Sequence, residues 1–274
     1  MVLANRSLRW SSPLIFNDPF DVPRSLSFDF SARELQEALA EDLAVMIETG
    51  APTPPKAMPL LDILLNALRN NPNPAYRTFI ANDLRTNALK NIPVPAIGFR
   101  ALQEFWDQSI PTMRILCVSE NATSTVMWAH YAAAHTGVAL EFEALDAVDS
   151  PLLMVRPVQY QDAPPKLPSK QEWVESMVGR QPIDLKELFT EYQYVKENQW
   201  AYEREWRIVS FSRRGESGLF TDYKFWAEEL RRVILGANCS AEDEAQIAAL
   251  VAAKYPNSTV VRAQINEALR RIDF

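Results

Sequence analysis

Glycine is scarce in this chain, 7 of 274 residues, and neither G-x-x-x-x-G-K-S/T nor G-x-G-x-x-G occurs. That excludes the two loop types whose backbone amides cradle phosphates, the P-loop and the Rossmann turn. Cysteine is limited to Cys117 and Cys239, far apart and outside any C-x-x-C, so a secreted disulfide scaffold is excluded and reduced thiols of a cytoplasmic protein are expected. Histidine is limited to His130 and His135. Five residues apart on a helix they diverge, whereas paired metal ligands stand three or four apart, so a zinc enzyme has few ligands left. An all-carboxylate Mg²⁺ site using Asp18, Asp21 and the glutamates stays open.

Basic residues are also short. With 28 Lys and Arg against 35 Asp and Glu the net charge is −7, which works against a broad, salt-dependent grip on nucleic acid. No run of about 18 apolar residues is present, and the first 16 residues lack the continuous apolar core of a signal peptide, so neither a membrane span nor export is expected. There is no G-x-S-x-G elbow, and neither cysteine stands in a nucleophile motif.

What is present is a core. Hydrophobic residues make up 47%, with 7 Trp, 8 Tyr and 13 Phe, enough for a large globular domain. A strand is expected within Leu8 to Phe16, followed by the turn chemistry of Asn17 to Pro23. Ser31 and Glu34 form a capping-box pattern opening a helix that Gly50 closes. Proline clusters then separate helices at 60–68, 76–90 and 99–108. After Met113 the pattern turns to strands at 113–119, 137–143, 152–160, 206–211, 233–236 and 258–264, with helices at 125–135, 172–178, 185–200 and 240–254. The expectation is an α+β (mixed α/β) fold in one domain, 1–274. It would have one mixed sheet decorated by helices, a mostly helical insertion at about 31–110, and a β-α-β unit at the C-terminus.

Three segments carry candidate chemistry. If Glu203, Glu205 and Arg207 enter a strand, period two puts two carboxylates and a guanidinium on one face, a way to tune an acid or base. The structural alternative is an ion-pair ladder. On the short helix, Trp128 and Tyr131 share a face and can stack on a planar ring, while His130 can exchange a proton or hydrogen-bond a ribose. The alternative there is two core aromatics and a satisfied histidine. Asn17, Asp18 and Asp21 can position a ligand from a loop, or hold an Asx turn with Phe20 plugging the core.

Taken together, Phe16-Asn17-Asp18-Pro19-Phe20-Asp21, then Met127-Trp128-Ala129-His130-Tyr131 with Gly137 and Leu140-Glu141-Phe142, and then Trp200 to Arg207 resemble the bacterial domain-of-unknown-function family 2971. The resemblance runs over nearly the whole chain, and it implies a fold and a set of motif positions but no reaction. By analogy the order of motifs is similar to that of ADP-ribosyltransferases, which place stacking aromatics centrally and a catalytic Glu late, often as Glu-x-Glu on a strand. The analogy implies an enzyme binding a nucleotide-like substrate, with NAD as that substrate. Glu203, Glu205 and His130 would be catalytic; Asn17, Asp18, Asp21, Trp128, Tyr131 and Arg207 would bind. The first motif departs from it, being Asn-Asp-Pro where a strand His or Arg belongs. Two other classes stand beside it: a non-catalytic ligand-sensing or interaction domain in stress or phage defence, and a carboxylate-dependent Mg²⁺ nuclease or phosphatase.

Overall fold

The computed structural model describes residues 2–88, 94–268 and 271–274. In chain order the elements are α1 (Val2–Asn5), β1 (Ser7–Ser11), α2 (Ala32–Thr49), α3 (Pro59–Arg69), α4 (Pro74–Asp83), α5 (Val94–Ser109), β2 (Met113–Ser119), α6 (Thr125–Tyr131), β3 (Val138–Phe142), β4 (Arg156–Pro157) and β5 (Gln159–Tyr160). There follow α7 (Lys170–Val178), α8 (Leu185–Gln193), β6 (Val195–Lys196), β7 (Glu205–Phe211), β8 (Phe220–Lys224), β9 (Leu230–Leu235), α9 (Ala241–Lys254), β10 (Thr259–Arg262), β11 (Gln264–Asn266) and β12 (Arg271–Asp273). The content is α+β. Two compact units result, one of residues 1–22, 109–163 and 193–274, the other of residues 23–108 and 164–192.

The second unit holds the expected helical block and adds residues 164–192 to it. The capping box forms: Ser31 Oγ accepts from the Glu34 amide, and the Glu34 carboxylate accepts from the Ser31 amide at 2.7 Å. Gly50 ends α2 at φ 62°, the left-handed conformation glycine adopts without penalty. Ala44, Met46 and Ile47 of α2 pack on Leu65 and Leu68 of α3 and Ala81 of α4. The helix expected over 76–90 is shorter: α4 stops at Asp83 and a wide turn covers Leu84–Ala88, while residues 89–90 lie outside the described residues.

In the first unit the strands divide among four sheets and do not form one continuous sheet. The largest is ordered β4-β7-β2-β1-β8, and a three-stranded sheet is ordered β10-β9-β3. The expected β-α-β unit is β9-α9-β10, with β9 and β10 parallel. The second half of β9, Val233 to Leu235, is covered on both faces and reads as a short apolar run. Val233 and Leu235 pack with Val251 and Tyr255 on the α9 side, and Ile234 packs with Trp128 and Ile272 on the other.

The larger sheet is polarised. Along β7, Ile208 joins Trp10 and Leu116 in an apolar cluster on one face, so Glu205 and Arg207 point to the opposite face. Cys117 and Ser119 of β2 stand opposite Arg207 and Glu205 and share that face.

Several expected elements change at points where tertiary contacts outweigh local pattern. The strand expected at 152–160 is a 3-10 turn (Pro151–Met154) followed by the short strands β4 and β5. The helix expected at 185–200 stops at Gln193 because Val195–Lys196 pairs in parallel with β5. The helix expected at 125–135 stops at Tyr131, after which Ala133, Ala134 and His135 all take positive φ. Strands β8 and β12 had no counterpart in the sequence reading. Among the described residues no helix is long and apolar enough to cross a membrane.

The left-handed turn after α6 brings the His135 carbonyl against Gly236, whose amide donates to Gly137 at 2.8 Å. A Cβ on residue 236 would sit 2.0 Å from that carbonyl oxygen. Gly236→Ala is therefore expected to destabilise the protein by about 2–3 kcal/mol in a urea melt; an unchanged midpoint contradicts this packing.

Candidate functional site

The site is built where the loop after β1 meets β6 and the start of β7. Asn17 Oδ1 accepts from the Asp18 amide, and Asp18 Oδ1 accepts from the Phe20 amide at 2.9 Å, an Asx turn. The turn buries Asp18 and Asp21 while leaving Phe20 67% exposed. Phe20 is therefore not the plug of the core. Val22 follows, fully buried at φ 53°, a conformation β-branched residues rarely adopt.

Glu203 ends a 3-10 turn (Asn198–Glu203) and does not lie on β7. Arg204, at φ 45°, turns the chain between it and Glu205, the first residue of the strand. The expected common face of three residues thus reduces to Glu205 and Arg207, with Glu203 reaching the same point from outside the sheet. Its partner there is Lys196, on a segment whose helical period predicts a helix but which pairs as a strand with Gln159–Tyr160. Lys196 Nζ lies 2.5 Å from Glu203, 3.0 Å from Glu205 and 3.4 Å from Asp21. Arg207 donates Nε to Glu205 at 2.5 Å, Nη2 to Asp21 at 2.7 Å and Nη1 to the Gln193 carbonyl at 3.1 Å.

Five charged side chains, three acidic and two basic, are thus buried in mutual contact. Burial by itself would raise the Glu205 carboxyl, but the Arg207 guanidinium and the Lys196 ammonium reverse this and hold it at about 2. Lys196 opposes the lowering effect of its own burial through Glu205, Asp21 and Glu203, and stays above its ordinary value. Glu205 is therefore a permanently ionised anchor at neutral pH.

Tyr131 connects this cluster to the surface. Its hydroxyl donates to Glu203 Oε1 at 2.5 Å and accepts from Asn17 Nδ2 at 2.9 Å. Burial and the Glu203 carboxylate push its phenol well above the usual range, so it keeps its proton. His130, on the same helix, is exposed and pairs through Nδ1 with the Tyr202 hydroxyl at 3.2 Å, away from the carboxylates. Trp128 does not join the cluster: it is buried in the core with Ile234, and its Nε1 donates to the Ala122 carbonyl at 2.8 Å. Asp18 is buried in its turn, with Oδ2 unpartnered among the described residues.

A cleft of about 830 Å³ lies in the same unit, with Cys117, Val118, Tyr131, Leu140 and Phe142 in its walls. That size suits a small organic ligand. Tyr131 belongs to both cleft and cluster; Cys117 also lines the cleft and stands opposite Arg207 of β7. Among the described residues no group of three or more His, Cys, Asp or Glu side chains is placed to hold a metal ion.

Two outcomes follow for the cluster. Lys196→Met leaves three buried carboxylates with one cation and is expected to cost about 3–5 kcal/mol in chemical denaturation. Because the folded Glu205 carboxyl lies below its ordinary 4.5, its stabilising contribution is complete above that pH and is lost as pH falls toward 2. Acid melts of Glu205→Gln should be shallower across that window by up to about 1.4 kcal/mol per pH unit; a slope equal to that of the wild type contradicts the assignment.

No curated protein and no solved structure matches the chain. The model of the family described as "Protein of unknown function (DUF2971)" matches residues 127–208. That span includes Tyr131, Lys196, Glu203, Glu205 and Arg207 but not the Asn17–Asp21 loop, so the match is narrower than the resemblance of the motifs. Over residues 127–208 the chain is thus similar to the DUF2971 family.

Proposed function

We propose that this protein is an enzyme acting on a nucleotide-like substrate, with ADP-ribosyltransferase-like chemistry where the cleft meets the buried carboxylates. The observation that supports this reading is the position of Tyr131, 51% exposed in the cleft wall and hydrogen-bonded to Glu203. Its ring would stack on a planar base. Asn17 beside it, and His130 on the exposed side of α6, would contact substrate hydroxyls.

In this reading Glu203 is the reacting carboxylate, its charge stabilising a developing oxocarbenium ion. The bond from the anomeric carbon to the leaving nitrogen breaks with its electron pair on nitrogen. Water or an acceptor hydroxyl then bonds to that carbon and loses its proton. Glu205, held by Arg207 and Lys196, becomes a positioning residue. NAD is the first substrate to offer.

A second reading, a non-catalytic ligand-sensing or interaction domain, is favoured by one specific observation. Glu203 is 3% exposed, and both its oxygens are engaged, by Tyr131 and Lys196. The Mg²⁺ reading gains no such support, since Asp21, Glu203 and Glu205 face two cations already.

The two readings separate in a thermal-shift series offering NAD, ATP and Mg²⁺ singly to the wild type, Tyr131→Phe and Glu203→Gln, with nicotinamide release followed in parallel. The enzyme reading expects stabilisation by NAD and nicotinamide release, with release lost by at least about 100-fold in Glu203→Gln. Ligand stabilisation without release in any form would return the site to sensing.

A further inference from the structure

We infer that the cleft accepts a phosphate-free nucleoside and discriminates against its phosphorylated form, with Glu141 as the residue that sets the discrimination. This rests on the reading of the cleft as the site of a nucleotide-like ligand and narrows its class to the nucleoside with the same bond from anomeric carbon to nitrogen, so that NAD, with its two phosphates, is expected to bind more weakly than nicotinamide riboside.

The charge in the cleft walls decides it. Among the described wall residues the charged side chains are Glu120, Glu141 and Arg232. Two carboxylates against one guanidinium leave the described wall residues net negative. Among them the one cation is also taken: Arg232 directs Nε and Nη2 to Glu141 Oε2 at 2.7 and 2.6 Å across the β3–β9 pair, and its guanidinium lies 5.1 Å from the Phe274 ring centroid. Glu120 is held by the Trp206 indole at 3.1 Å and faces the Arg204 guanidinium, from outside the wall, at 3.8 Å. The nearby cations of the buried cluster, Lys196 and Arg207, are fully committed to carboxylates.

Backbone amides supply no substitute. No glycine stands in the cleft wall, so a phosphate-wrapping loop is absent from it. The first turn of α6 is occupied by its own cap, with Ser124 Oγ accepting from the Met127 amide. A phosphate drawn into these walls would lose water without gaining a counter-charge. Ribose hydroxyls and a flat base meet a more suitable surface, with Asn121 as a polar partner and Val118, Tyr131, Leu140 and Phe142 as the apolar one.

The test is calorimetric titration of the full chain with matched pairs, adenosine against its 5′-monophosphate and nicotinamide riboside against nicotinamide mononucleotide. The wild type should bind the phosphate-free member of a pair about tenfold more tightly. Glu141→Gln, by releasing Arg232, should close that gap or reverse it. Equal or tighter binding of the monophosphate by the wild type overturns the inference while leaving the cleft as a nucleotide site. If neither member of either pair binds to protein that melts cooperatively, the inference and the reading beneath it both fall.

Discussion

The contact on which the first unit depends is the buried meeting of Lys196 and Arg207 with Asp21, Glu203 and Glu205. Taking five charges out of water is costly, and only close pairing with further hydrogen bonds offsets that cost. Here the pairing is at short range, and the Gln193 carbonyl absorbs an additional donor of Arg207, while Asp21 Oδ1 has no hydrogen-bond partner among the described residues. Such a network adds little net stability compared with an apolar core. What it adds is specificity, because any shift of one segment strands a charge. It fixes three chain segments relative to one another: the loop after β1, the β6 strand with its 3-10 turn, and the start of β7.

That constraint explains local features that look unfavourable alone. Val22 and Arg204, both at positive φ, immediately follow Asp21 and Glu203. Non-glycine residues in this region cost about 1–3 kcal/mol each and persist where surroundings over-determine them. The network is that surrounding. It also holds Tyr131, whose hydroxyl donates to one Glu203 oxygen while Lys196 holds the other. The cleft wall and the buried charges are in this way one object, joined through a single phenol.

Much of this was legible in the sequence where local signals and the fold agree. The Ser31/Glu34 capping box, the Gly50 terminus, the β9-α9-β10 unit and the run at Met113–Ser119 follow from patterns that tertiary structure had no reason to override. The gathering of Asn17, Asp21, Tyr131, Glu203, Glu205 and Arg207 was legible as a set of candidates, though not as a geometry. Lys196 was hidden by its context: the segment from Leu185 continues a helical period, and only pairing of Val195–Lys196 with Gln159–Tyr160, a contact between distant segments, diverts it to a strand. The aromatic and β-branched sequence Tyr192 to Val195 was the one available hint. Trp128 was legible only as an ambiguity, since a tryptophan one turn from a site tyrosine serves a core equally well, and here it both packs against Ile234 and lines the cleft.

The most direct measurement of this account is a double-mutant cycle joining Asp21→Asn with Lys196→Gln, read by urea denaturation, because the two residues sit 175 positions apart in sequence (196 − 21 = 175) and meet only if the three segments converge as described. A coupling energy above about 1 kcal/mol is predicted. Strict additivity of the two substitutions would contradict the central role given to the buried charges.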